Sequence, residues 1–308
     1  MELNKITEDI LKEITDWDGL FKGAYSLREN GECITFQNSE NIRIVKKDDK
    51  PGIDIYISNG AQQETVYIPA CVTKSDVKDL VYNDFHVQEG ADVIIVAGCG
   101  VHTDGEEGSN HNGIHRFLME KNSHVLYKEK HIGYGAGTGK KIIDPVTEAF
   151  LGEGAVLEME TLQLGGVDIT NRNTKATLDK EAKLIIHESI QTDNEDKAET
   201  HFEVEMNGED SAVDLISRSV AKGNSIQSYT SRIIGNKRCT GHSSCDAIIA
   251  DHGKVLAQPA LDANDLDASL IHEAAIGKIA GEQIIKLMTL GLTEQEAEDK
   301  IIAGFLGA

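Results

Sequence analysis

The sequence is poor in positive charge. Thirty Lys and Arg stand against 52 Asp and Glu, for a formal net charge of −22. A surface of that sign repels phosphate backbones and anionic lipid headgroups, which argues against nucleic-acid and membrane-surface roles. Long apolar runs are also missing. Stretches such as Val93-Ile94-Ile95-Val96-Ala97 fall far short of the roughly 20 residues a spanning helix needs. The opening Met1-Glu2-Leu3-Asn4-Lys5 lacks the basic-then-apolar layout of a secretory leader, so a cytoplasmic location with reduced thiols is expected. No Cys-x-x-Cys pair occurs among Cys33, Cys71, Cys99, Cys239 and Cys245. Cys33 and Cys71 read as ordinary thiols. A nucleotide loop is absent too. Gly133 to Lys141 is glycine-rich, but Tyr134 stands where a phosphate loop needs glycine, and Lys141 where it needs Ser or Thr. This chain is therefore expected to bind no nucleotide itself.

Apolar Leu3, Ile6, Ile10, Leu11 and Ile14 follow helical spacing. From about residue 32 the period changes to two, as in Ile42-Arg43-Ile44-Val45 and Ile53-Asp54-Ile55-Tyr56-Ile57 around the turn Lys50-Pro51-Gly52. A weak repeat follows. Ala91, Ser123 and Ala155 lie 32 residues apart and Ala182 comes 27 later, each just ahead of an alternating segment. A small residue at a fixed turn followed by alternation predicts coils stacked along an axis, a β-solenoid, over a sandwich. Helical spacing returns at Leu270, Ile271, Ala274, Ala275 and Ile279 and runs on through Ile284, Ile285, Leu287 and Met288 to a cap at Gly291. Thr293 to Glu296 is a capping box that opens a last helix. The expected layout is an N-terminal helical segment (1–31), a β body (32–258) and a C-terminal helical segment (259–308).

Two clusters carry candidate chemistry. Cys99, His102, His111 and His115 have the donor types of a zinc or iron site. Gly113, however, weakens any helix that would put His111 and His115 on one face, and structural histidines are the better reading. Cys239, His242 and Cys245 form the densest thiol–imidazole cluster, with Asp246 adjoining and Arg232, Lys237 and Arg238 upstream. Nearby positive charge is expected to lower a thiol pKa and favour the metal-binding thiolate. His272 and Glu273, at the expected start of the helical tail, offer an imidazole and a carboxylate that could complete an iron site.

From Cys239 to Phe305 the chain resembles the SufB/SufD family, scaffold subunits of the Suf iron–sulfur cluster assembly machine. The resemblance rests on Cys245-Asp246-Ala247-Ile248-Ile249, on the run from His272-Glu273 to Ile279, on Glu282-Gln283-Ile284, and on Gly291 to Ala297 ending in Gly304-Phe305. It implies a right-handed parallel β-helix with flanking helical segments and no enzymatic activity in this chain. It also implies a transient iron–sulfur cluster as cargo, supplied by a sulfur donor and an iron source. The metal candidates are Cys245, Glu273 and His272, with His242 and Cys239 in second place. The implied partners are a SufC-like ABC ATPase at the C-terminal helices and a second scaffold, in a homodimer or a SufB–SufD-like heterodimer. The alternative is a non-catalytic SufD-like subunit that only positions the ATPase and a partner scaffold.

Overall fold

The computed structural model describes residues 3–307. Helix α1 (Lys5–Thr15) is capped by the Asn4 side chain, which accepts from the Thr7 amide. Two antiparallel pairs follow: β1 (Ala24–Glu29) with β2 (Glu32–Gln37), and β3 (Ile42–Lys46) with β4 (Gly52–Ile57). The chain then shuttles between two sheets. In the first, β5 (Gln62–Val72), β7 (Asp92–His102), β9 (His124–Tyr134), β12 (Val156–Leu164), β14 (Lys183–Thr192), β16 (Ser211–Ala221), β18 (Cys239–Ile249) and β20 (Ala268–Gly277) stack on β1. In the second, β6 (Lys78–Val87), β8 (Ser109–Met119), the broken pair β10 (Lys141–Ile143) and β11 (Val146–Leu151), β13 (Ile169–Leu178), β15 (Lys197–Met206), β17 (Ile226–Gly235) and β19 (Lys254–Ala263) stack on β4. These stacked strands pair in parallel, as in a β-solenoid of about 8 turns. Helices α2 (Gly281–Met288) and α3 (Glu294–Leu306) close the chain. No helix of the described residues is long and apolar enough to cross a membrane.

The weak sequence repeat is the turn of the solenoid. Ala61, Ala91, Ser123, Ala155, Ala182 and Ser211 are all buried at the corner where each strand of the first sheet begins. Consecutive turns are tied there by amides: His124 donates to the Ala91 carbonyl, Val156 to Ser123 and Lys183 to Ala155. A corner packed on the turns before and after it leaves no room for a long side chain. Beyond the corner, alternate residues enter the core (Val93, Ile95 and Ala97 on β7; Leu184 and Ile186 on β14) and the others face out.

One expectation is corrected. Leu270 to Gly277 is not helical but belongs to β20, paired with β18 from Cys239–Ala268 to Ile248–Gly277. The solenoid thus continues from Ala24 to Gly277, past the expected 32–258 at both ends. The helices begin only at Gly281, and the Thr293–Glu296 capping box forms as expected.

Helix α1 lies on the outside of β7, where Gly98 and Gly100 face outward. A Cβ at Gly98 would come 2.8 Å from Ile14, and one at Gly100 would collide with Ile10. The missing side chains let Ile10, Leu11 and Ile14 bury themselves with Leu27 and Cys71, a burial that contributes about 1.5–3 kcal/mol per large side chain. Gly100→Val is expected to lift α1 off the sheet. Limited trypsin digestion should then cut at Lys12 while the solenoid stays intact. Parent-like resistance at Lys12 would show that the glycine groove does not seat the helix.

Candidate functional site

The candidate residues lie on the last two strands of the first sheet, and strand alternation divides them. On β18, Cys239, Gly241, Ser243 and Cys245 point into the solenoid, whereas Thr240, His242 and Asp246 point out. On β20, Leu270 and His272 point in, and Ile271 and Glu273 point out. Cys245 is 1% exposed. Ser217 of β16 lies on one side of it and Ala274 of β20 on the other. His272 pairs with Ser243, making it a diagonal neighbour of Cys245 on the same inner face. Its Nδ1 is buried without a partner among the described residues.

The outer face holds the rest. His242 Nδ1 lies 2.8 Å from Asp214 Oδ1, and its Nε2 lies 3.9 Å from a carboxylate oxygen of Glu273. The Glu273 side chain is 71% exposed. Within one subunit the backbone of the sheet therefore separates the thiol of Cys245 from the carboxylate of Glu273. The structure unites Cys245 with His272 and His242 with Glu273, not all four. Cys239 joins neither pair. It pairs with Ser211 and Ala268 in the corner column that other turns fill with Ala or Ser, and its place there is that of a small core residue.

The expected low thiol pKa is also corrected. Arg238 is held by Asp210 at 2.7 Å and Arg232 by Asp262 at 2.8 Å, both at the surface. Burial, reinforced by Glu188 and Asp246, pushes the Cys245 thiol up to about 12. Cys239 is pushed up as well, mainly by burial.

A buried polar chain that the motifs did not reveal runs inside the solenoid below Cys245. His115 Nδ1 contacts the Tyr127 hydroxyl at 2.7 Å, and Tyr127 donates to Glu129 at 2.6 Å. Arg172 donates to Glu129 at 2.7 Å, and its Nε lies 3.3 Å from Glu188. Thr200 and Ser217 donate to Glu188 at 3.0 and 2.8 Å. Burial alone would raise both carboxyls. At Glu129 the charges of His131 and Arg172 outweigh it and hold the carboxyl well below the ordinary range. At Glu188 burial wins over Arg172 and the two hydroxyls, and the carboxyl is raised. The register gives the one signal that could have found these residues: Glu129, Thr161, Glu188, Ser217 and Cys245 occupy one inward column on successive turns.

The last turn is open. β20 and β19 end their sheets and have no strand on their far sides among the described residues. Ala257, Ala268 and Leu270 pack on the core but are only partly buried, and Leu256, Ile271 and Ile276 are exposed. Helix α3 packs back on the outer face through Ile302 and Leu306 against Val220. Helix α2 buries none of its residues and exposes Ile285 and Met288.

Fold and site together define a class: a two-sheet parallel β-solenoid with an uncapped end that carries a sequestered thiol and an imidazole just beneath it. The SufBD core domain of the SUF system for iron–sulfur cluster assembly matches residues 80–305, from β6 to α3, and the chain belongs to the SufBD family, which places it in iron–sulfur cluster assembly. An iron–sulfur cluster assembly SufBD family protein of Archaeoglobus fulgidus is 30% identical over 87% of this chain and 71% of its own. One from Methanocaldococcus jannaschii is 26% identical over 93% of this chain and 91% of its own.

Proposed function

We propose that this chain is a scaffold subunit for iron–sulfur cluster assembly, working as a dimer beside a SufC-like ABC ATPase in the cytoplasm. The observation that carries this reading is the open last turn with Cys245 and His272 on its inner face. A second scaffold laid against β19 and β20, whether another copy or a SufD-like partner, would cover the exposed apolar edge and close the site. The exposed apolar side chains of α2 supply a docking face for the ATPase, which brings the nucleotide site this chain lacks. Iron and sulfide, from an iron source and a sulfur donor, are cargo rather than resident cofactor. The chain holds and releases a cluster and is not itself an enzyme. One thiolate and one imidazole per subunit suit that role, because four thiolates would retain the product. Glu273 and His242, on the outer face, can reach the same cluster only across a subunit boundary or after β20 moves.

The SufD-like alternative keeps its own support: a thiol this deeply buried and this weakly acidic can be simply structural. Anaerobic reconstitution of the scaffold–ATPase complex with iron and sulfide separates the two. Cys245→Ala is expected to lose most of the iron and acid-labile sulfide that the parent binds. Equal loading of parent and variant would remove Cys245 from the site and leave the positioning role.

A further inference from the structure

The interior also holds the histidine cluster to which the proposed function gives no role. A cavity of about 220 Å³ lies inside the first turns, and its walls include Cys99, His111, Gly113, His115, His131 and Asn83. Strand geometry reverses the reading that Gly113 keeps the histidines apart. Residues 111, 113 and 115 alternate on β8 with three inward positions in a row, opposite Asp79, Val81 and Asn83. Gly113 leaves empty the space between the two imidazoles. A Cβ built there would lie 3.0 Å from His115 Nε2 and 3.4 Å from His111 Nε2, so both nitrogens border the space that Gly113 leaves open.

Each ring is held from behind. His111 Nδ1 donates to Asp79 Oδ2 at 2.9 Å, and Asp79 is itself gripped by Arg28. His115 Nδ1 faces the Tyr127 hydroxyl, whose own proton goes to Glu129. An outer partner on one ring nitrogen is what fixes the tautomer and aim of a metal-binding histidine. The Nε2 of His111, a residue 6% exposed, has no partner among the described residues. His115 Nε2 has only a long 3.3 Å contact from the Asn83 amide, and Asn83 Oδ1, equally buried, is unpartnered. Cys99 and His131, paired across β7 and β9, bring sulfur and a third imidazole to the same cavity.

The geometry points to a divalent transition-metal site inside the solenoid, with His111 Nε2 and His115 Nε2 as ligands and the ion seated over Gly113. Imidazole ligands suit the zinc and ferrous class of ion over calcium or magnesium. His102, the other member of the sequence cluster, lies on the outer face of β7 and takes no part. The cluster of Asp54, Asp84 and His86 on the outer surface of the second sheet is not an equivalent candidate. Lys47 Nζ already sits 2.7 and 2.8 Å from its two carboxylates.

The test is titration of the metal-free full-length chain with Co²⁺ and Zn²⁺, followed by visible absorption and calorimetry. The parent is expected to take up one equivalent of Co²⁺ with the bands of nitrogen ligation. His111→Ala and His115→Ala should each lower affinity at least 100-fold. Gly113→Ala keeps both imidazoles and has a backbone that alanine adopts, yet its methyl group crowds the space between the two nitrogens, so it should bind no better than they do. His86→Asn should bind like the parent. No stoichiometric uptake by the parent, or uptake that survives in the Gly113 and both histidine variants, overturns the site. Should those variants fail to fold, Zn²⁺ must protect His111 and His115 of the parent from diethylpyrocarbonate; absence of protection is equally fatal. The inference does not rest on the scaffold reading.

Discussion

Replacing Arg172 with Met is expected to cost the fold about 3–5 kcal/mol, the loss that follows when one partner of a buried ion pair is removed. Arg172 is 3% exposed and is the cation between Glu129 and Glu188. A methionine fills similar volume but leaves two carboxylates desolvated inside the solenoid, and that charge, not the lost packing, dominates the penalty. The pH dependence separates the two causes. In the parent, Glu129 is held below the ordinary range, so its stabilising contribution is present above about pH 4.3 and is lost as the pH falls through its folded value. Glu188 is raised, so its contribution is present below that point and is lost as the pH rises. In the variant both carboxyls are raised, and both favour the folded state only in acid. The stability deficit, read from urea or thermal unfolding of parent and variant, should be largest near pH 7–8 and shrink toward pH 4. A deficit that stays constant with pH would assign the effect to packing. Because each solenoid turn leans chiefly on its neighbours, hydrogen exchange should locate the weakening in β9, β13 and β14 rather than in α1.

The body of the fold was legible in the sequence because it rests on one local requirement, a small residue at each corner. Ala91, Ser123, Ala155 and Ala182, each ahead of an alternating segment, disclose the turn length. The end of the body was not legible, for a physical reason. Strands that cover both faces with solvent or core alternate cleanly, but β20 is the outermost strand, and apolar Leu270, Ile271, Ala274, Ala275 and Ile276 occupy both of its faces. A run that is apolar on both faces satisfies helical spacing as well as strand spacing. Parity divides the candidate site residues within one subunit. Cys245 pairs with Ala274, not Glu273, and a one-residue offset in a strand sends a side chain to the opposite face. Sequence proximity to a matching motif could identify the residues but not the side of the sheet. Parity also hid the interior network. Glu129, Arg172 and Glu188 look like solvent-facing charges until the register shows them at inward positions, Glu129 beside Ala97 and Thr161, Arg172 beside Thr200, and Glu188 beside Thr161 and Ser217. The same rule made His111 and His115 neighbours across a glycine that, on a helix, would have argued against them.

Alkylation of Cys245 in the isolated chain is expected to be at least about a thousandfold slower than that of a free thiol at neutral pH. The thiolate is the reacting species, and raising the thiol from the free value near 8.5 to about 12 cuts its population by about that factor before access is considered. Cys33, the one cysteine that is not fully buried, should react first, and mass spectrometry of iodoacetamide-treated protein at timed intervals ranks the five thiols. The rate at Cys245 should rise about tenfold per pH unit through the alkaline range, since the charged form is the one that burial and Glu188 disfavour. Reaction at Cys245 as fast as at Cys33 would contradict its inward placement. The same physics sets a demand on cluster assembly. Iron or sulfur can be taken up by this thiol only if its proton leaves, and beneath β20, where it is buried, that is costly. A partner that lifts β20, or that brings Glu273 of one subunit toward Cys245 of another, removes part of the burial and adds a metal ligand in the same movement. If the proposed scaffold role holds, adding a SufC-like ATPase with ATP should therefore accelerate modification at Cys245 and leave Cys71, sealed beneath α1, as slow as before. Equal acceleration at both would indicate general loosening of the fold in place of a directed movement of β20.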